Sequence, residues 1–270
     1  MHWHFSLISI ILYSAYFCLM LKNAFTHANK PQYHTPKSIL LLFFSAIVFH
    51  ALSVNYVLFS HGHLQLDFYK IASLMFLTIS SLSLLALMRK MAIENLIIFL
   101  IPFCIVSIVL SELVKSPITK ILADPGAIIH VVISIIAYSM LTLAAGQAFL
   151  LGLQEYLLKH HALNGIFKYL PPLKVMDKLL IEMIVFGFVA LTLSILSGYL
   201  FIDDIFAQHL LHKTILSIAA WLIFFIFIMG HVSFGWRGRL AAQLTLLGFV
   251  FLMLGYFGSK FVLEIVLHRI

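Results

Sequence analysis

The 270 residues are 63% hydrophobic and only 10% charged, with a formal net charge of +7. A soluble domain carries roughly a quarter charged residues, so this composition excludes a water-soluble fold. The 17 Lys and Arg are scattered singly through short polar stretches, which excludes a nucleic-acid surface and reads as membrane topology.

Apolar runs of roughly 20 residues, the length that crosses a bilayer core, follow one another along the whole chain. They predict an all-α polytopic membrane bundle of about eight transmembrane helices. The expected spans are 3–21, 38–59, 69–88, 95–112, 128–153, 178–200, 213–230 and 240–266, in a single integral domain over 1–270.

The first span is preceded by MHWHF, with no basic residue, and is followed by Lys22, Lys30 and Lys37. That order predicts a retained helix with its N-terminus outside rather than a cleaved signal peptide. Pro31 and Pro36 precede the second span, which carries His50 near its middle.

Cys18 and Cys104 lie in separate apolar runs without a Cys-x-x-Cys spacing, and are read as two buried small hydrophobes. Pro102, inside the fourth span, predicts a kink. Pro117 and Pro125 precede the fifth span, which begins near His130, and Pro171 and Pro172 precede the sixth. Glu182 is placed to pair with Lys178 at i, i+4.

The odd-numbered loops hold Lys22, Lys30, Lys37, Arg89, Lys90, Lys159, Lys168, Lys174, Lys178, Arg237 and Arg239. The opposite side keeps Lys70, Lys115, Lys120, Lys213, Lys260 and Arg269, mostly at helix ends where a long stem can snorkel. The positive-inside rule then puts both termini outside.

This orientation sorts the 14 histidines. His2, His4, His61, His63, His130, His209, His212 and His268 fall outside; His27, His34, His160, His161 and His231 fall inside; His50 lies near the midplane. A polar group in the membrane is costly without a partner, so His50 is either a functional residue or a neutral imidazole bonded to a neighbouring helix.

His130 and His268 both sit at outer helix ends, where two neutral imidazoles can ligate one haem iron axially. Zinc is a weaker alternative, because the outer histidines lack tight ligand spacing and have few nearby carboxylates. Glu264, one turn before His268, is placed to orient that imidazole. His61 with His63, and His209 with His212, read as polar loop residues.

Asp203 and Asp204 are adjacent in an outer loop and read as solvated. No nucleophile elbow, Walker loop or zinc-protease motif is present, so hydrolytic and nucleotide-driven chemistry have no support and no catalytic residue is expected.

From HVVISIIAYSMLTLAAGQAFLLGLQE to HKTILSIAAWLIFFIFIMGHVSFGWRGRLAAQLTLLGFVFLMLGYFGSKFVLE, the chain resembles the cytochrome c assembly protein family of membrane haem handlers. The order AW, GH, GWRGR, YFG carries the likeness, strongest over 128–268, and places the chain with the small eight-helix, HemX-like branch.

The resemblance implies a haem-handling core in a bacterial inner (cytoplasmic) membrane, with haem b as cofactor and haem-pathway or cytochrome c maturation proteins as partners. It implies His130 and His268 as outer axial ligands, and His50 with His231 as an intramembrane pair. The loop GYLFIDDIFAQHLLHK lacks the tryptophan-rich signature of haem-delivering members, although Lys213 stands near the family's lysine.

Three functions are therefore expected to compete. They are a haem-binding protein of cytochrome c maturation, a HemX-like regulatory or scaffolding protein that keeps the fold without delivering haem, and a small-solute or proton transporter using His50.

Overall fold

A computed structural model of the chain describes residues 3–26, 35–59, 65–66, 68–114, 120–121, 124–161, 170–201 and 208–258. Among them are eight α-helices: α1 (Trp3–Thr26), α2 (Lys37–Phe59), α3 (Phe68–Met88), α4 (Glu94–Leu113), α5 (Pro125–Lys159), α6 (Leu173–Phe201), α7 (Gln208–Phe234) and α8 (Arg239–Met253). All eight are long and apolar enough to cross a membrane, α8 doing so together with the π-helical turn Leu254–Gly258 that extends it. A chain immersed in lipid must satisfy its backbone internally, and helices do so within one segment.

The helices alternate in direction. The start of α1 meets the ends of α2 and α4 through Ser6, Ser53 and Glu112, and the start of α5 meets the end of α6 through His130 and Ser197. We call this the near face. There, two-residue strands β1 (Gln65–Leu66) and β2 (Lys120–Ile121) pair antiparallel and tie the α2–α3 connection to the α4–α5 connection.

At the far face Thr35, before α2, meets Glu94 of α4, and Asp177 of α6 meets Gly238 at the start of α8. Exposed Lys22, Arg89, Lys90, Lys159, Lys174, Lys178, Arg237 and Arg239 all lie toward this far face.

Two groups of helices build the bundle. In the first, α1 packs on α2 and α4, and α3 on α2 and α4; in the second, α5 packs on α6 and α8, and α7 on α8 and α6. The groups meet where α5 lies against α3 and α4.

The α5–α6 interface is the most extensive. Gly187 makes it close: a Cβ built there would lie 2.5 Å from Cδ2 and 2.7 Å from Cγ of Leu141, itself fully buried. Small residues admit this approach where no hydrophobic driving force separates helix from lipid. Gly187→Ala should lower stability by about 1–3 kcal/mol, the usual cost of overpacking, read as an earlier unfolding midpoint in detergent.

Several expected boundaries move. The fifth helix begins at Pro125 rather than 128, because the Asp124 carboxylate accepts the Ala127 N–H at 2.7 Å and Pro125 fits the first turn. The sixth begins at Leu173 rather than 178: Lys174, Asp177 and Lys178 interrupt the apolar pattern but not the helix. The eighth is regular only to Met253, and its expected continuation past 258 lies outside the described residues.

Pro102 is inside α4, and Lys178 pairs with Glu182 at 3.8 Å as expected. Cys18 corrects the reading of two buried cysteines: it is exposed, while Cys104 is buried. An apolar run on a membrane helix has an outward face, and Cys18 sits on it.

Candidate functional site

His130 lies one turn inside α5 at the near face, half-buried against the end of α6. Its Nδ1 is 3.0 Å from the Ser194 carbonyl oxygen, which can only accept, so Nδ1 carries the proton and donates. Ser197 Oγ is 3.1 Å from the same nitrogen.

The tautomer is therefore fixed, with the Nε2 lone pair available. Among the described residues Nε2 has only a long contact, 3.4 Å to Ser134 Oγ, a hydroxyl already placed 2.7 Å from both the His130 carbonyl and Ser194 Oγ. Metal-ligating histidines commonly donate the other ring N–H to a carbonyl in this way. The imidazole suits an iron ligand.

Gly198 leaves the room for the ring. A Cβ there would stand 3.1 Å from Cε1 and 3.3 Å from Nδ1 of His130.

His231 closes α7 at the far face, partly exposed. Its Nδ1–H donates to the Trp236 carbonyl at 2.8 Å, which again leaves Nε2 as the acceptor. The loop that holds it needs its glycines: Gly235 and Gly238 have φ of +68° and +60°, a region that costs other residues energy. Gly238 N–H donates to Asp177 Oδ1 at 2.8 Å, tying the loop to α6.

His50 differs from both. It is fully buried, with Nδ1 3.3 Å from Tyr13 Oη and Nε2 3.1 Å from Ser73 Oγ. Cys104 Sγ is 4.0 Å from Nδ1 and 3.7 Å from Ser80 Oγ. Both ring nitrogens lie within hydrogen-bond distance of protein hydroxyls.

His50 and His231 have different hydrogen-bond partners. The partners of the first belong to α1, α3 and α4, and the partner of the second to the loop after α7. His268, Glu264, Asp203, Asp204, His61 and His63 lie outside the described residues. Sequence reasoning missed Tyr13, Ser73 and Ser134; only their positions on apolar helices, where a hydroxyl needs a partner, signalled them.

The other recognisable residues each hold a helix junction. Trp221 donates its indole N–H to Thr192 Oγ1 at 2.9 Å and stacks on Phe188, joining α7 to α6. Tyr256, in the π-helical turn, meets the Tyr138 ring edgewise at 5.6 Å between centroids, with Lys213 5.6 Å above its own ring. These two pairs fix α7 beside α6 and the turn after α8 beside α5, the helix that carries His130.

The eight apolar helices among the described residues define a polytopic membrane protein. By sequence the chain belongs to the cytochrome c assembly protein family, whose profile matches residues 39–267. It is 31% identical over 165 residues to inner membrane protein YpjD of Escherichia coli, covering 61% of this chain and 62% of that protein.

A 28.8 kDa protein of Azospirillum brasilense is 30% identical over 141 residues, 52% of each chain. Cytochrome c biogenesis protein CcsA of Chlamydomonas reinhardtii is 26% identical over 151 residues, 55% of this chain and 42% of that one. The chain thus covers less than two thirds of the length of these relatives. No solved structure matches it.

Proposed function

We propose that this protein binds and handles haem at the near face of a bacterial inner membrane, in the service of cytochrome c assembly. His130 and His268 serve as the axial ligands, and the near face is the outer one. The observation that carries the reading is the His130 imidazole, held by the Ser194 carbonyl with Nε2 available. Family membership and the likeness to an inner membrane protein of E. coli support it.

Basic residues on the opposite face support the orientation, since cytoplasmic loops are enriched in Lys and Arg. Haem b bound there supplies an iron whose potential and reactivity its axial ligands set. The chain's own residues would bind and orient it, while partner proteins of haem handling or cytochrome c maturation use it. No residue here is assigned a catalytic step.

His231, with its Nδ1 also bonded to a carbonyl, is suited to hold haem at the far face. The family-based pairing with His50 would require Tyr13 or Ser73 to release the ring.

The test is an absorption spectrum of the full chain purified after haem-replete expression, oxidised and reduced. A Soret band that sharpens and shifts on reduction, as for a bis-histidine haem, is expected. Purified protein with no Soret band overturns the reading.

A HemX-like regulatory or scaffolding role is the second reading, favoured by the absence of tryptophan from GYLFIDDIFAQHLLHK. Joint replacement of His130 and His268 separates the two. Loss of complementation supports haem handling, and full complementation supports the scaffold.

A further inference from the structure

The exposed basic side chains of the far face are unevenly spread. Arg89 and Lys90 follow α3 in the first helix group, whereas Lys159, Lys174, Lys178, Arg237 and Arg239 gather around one residue of the second, Gly238.

Three helix ends converge at Gly238. Its N–H donates to Asp177 Oδ1 of α6 at 2.8 Å, and a Cβ built on it would lie 3.9 Å from Glu155 Oε2 of α5. Its carbonyl accepts the Ala242 N–H at 3.0 Å and so opens α8. One turn deeper, a Cβ built on Gly152 of α5 would stand 3.9 Å from Cβ of Ala242. The positive φ at Gly235 and Gly238 sets the path of the loop between α7 and α8, and the Asp177 bond latches it to α6.

Chain geometry then places the cations. Arg237 and Arg239 lie one peptide step, about 4 Å, to either side of Gly238. Lys174 and Lys178 lie three residues before and one after Asp177, and Lys159 lies one turn beyond Glu155. All five are exposed. Of them, Lys178 alone has an ion-pair partner among the described residues, Glu182 at 3.8 Å. Five cations against the carboxylates of Asp177, Glu155 and Glu182 leave the junction net positive.

Apolar side chains stand exposed beside these charges: Leu158 precedes Lys159, Val175 follows Lys174 and Leu240 follows Arg239. A free anion would have no use for them. A phospholipid, with a phosphate and acyl chains on one molecule, uses both.

We propose that this junction binds an anionic phospholipid, whose phosphate is held by Arg237, Arg239, Lys174 and Lys178 and whose acyl chains lie against the exposed apolar residues beside them. Guanidinium groups match phosphate oxygens in pairs, and basic pockets between membrane helices take such headgroups. The latched loop fixes the backbone that carries both arginines, so less order has to be imposed when the lipid arrives. The site depends neither on haem nor on which face is the outer one.

The full chain, delipidated in mild detergent and titrated with phosphatidylglycerol or phosphatidylcholine under native mass spectrometry, tests it. Binding of phosphatidylglycerol roughly tenfold tighter than of phosphatidylcholine is expected from the charge at the junction. Arg237→Gln with Arg239→Gln, and Lys174→Gln with Lys178→Gln, should each abolish most of that preference. Arg237→Lys with Arg239→Lys keeps the charge and should retain it, which separates charge from loop structure. Arg89→Gln with Lys90→Gln, on the same face of the other helix group, should leave it unchanged.

Equal affinity for the two lipids overturns the site and leaves the patch to an acidic protein segment. A preference lost equally in Arg89→Gln with Lys90→Gln overturns it too, since any far-face charge would then serve. Displacement of the lipid by an equimolar amount of inorganic phosphate would mean a free-anion site and would overturn the lipid assignment.

Discussion

His130→Gly protein, purified after haem-replete expression, should lack the Soret absorbance of the parent and regain it when millimolar imidazole is added. The glycine leaves a half-buried space at the near face, bordered by Ser134, Ser194 and Ser197. Free imidazole can occupy it and donate to the same Ser194 carbonyl. A loss from general unfolding would not be rescued, so the rescue separates ligation from structure.

Gly198→Val is the companion measurement. The new side chain enters the space within 3.1 Å of His130 Cε1, so the ring must turn and the 3.0 Å bond to Ser194 must break. Haem content should fall severalfold while His130 itself remains, because orienting contacts behind a ligand commonly carry 10–100-fold in affinity. Full haem occupancy in both variants would remove His130 as a ligand.

Hydropathy made all eight helices legible, because a bilayer demands the same apolar length at every crossing. What it read poorly were ends set by local chemistry. The cap at Asp124 and the charged first turn of α6 lie outside any apolar window, yet each belongs to a helix. Loop charge sorted the histidines by face, and the structure keeps His130 and His231 at opposite ends as that sorting requires.

The surroundings of His50 were not legible. Its partners Tyr13, Ser73 and Cys104 come from three helices, and nothing in the spacing of a single helix says which neighbours it meets. Cys104 read as a small hydrophobe because its own helix is apolar, whereas its sulfur faces an imidazole and a hydroxyl. Depth in the bilayer follows from sequence, and rotation about each helix axis does not.

Gly230→Ala should destabilise the far face by about 1–3 kcal/mol, as overpacking against a rigid ring does. It should also shift the fluorescence of Trp236 to longer wavelength. Gly230 is buried beneath the six-membered ring of Trp236, and a Cβ built there would fall inside van der Waals contact with it. An indole has no flexible end to yield, so the whole ring must lift from α7. Lifting it withdraws the carbonyl that accepts the His231 Nδ1–H at 2.8 Å.

The single methyl group therefore frees the His231 tautomer as well as the loop. Its effect can be assigned, since the chain has three tryptophans and neither Trp3 nor Trp221 is in the space a Cβ at Gly230 would enter. Unchanged emission and an unchanged unfolding midpoint in Gly230→Ala would mean that the Trp236 ring does not rest on α7, and that the His231 orientation has another cause.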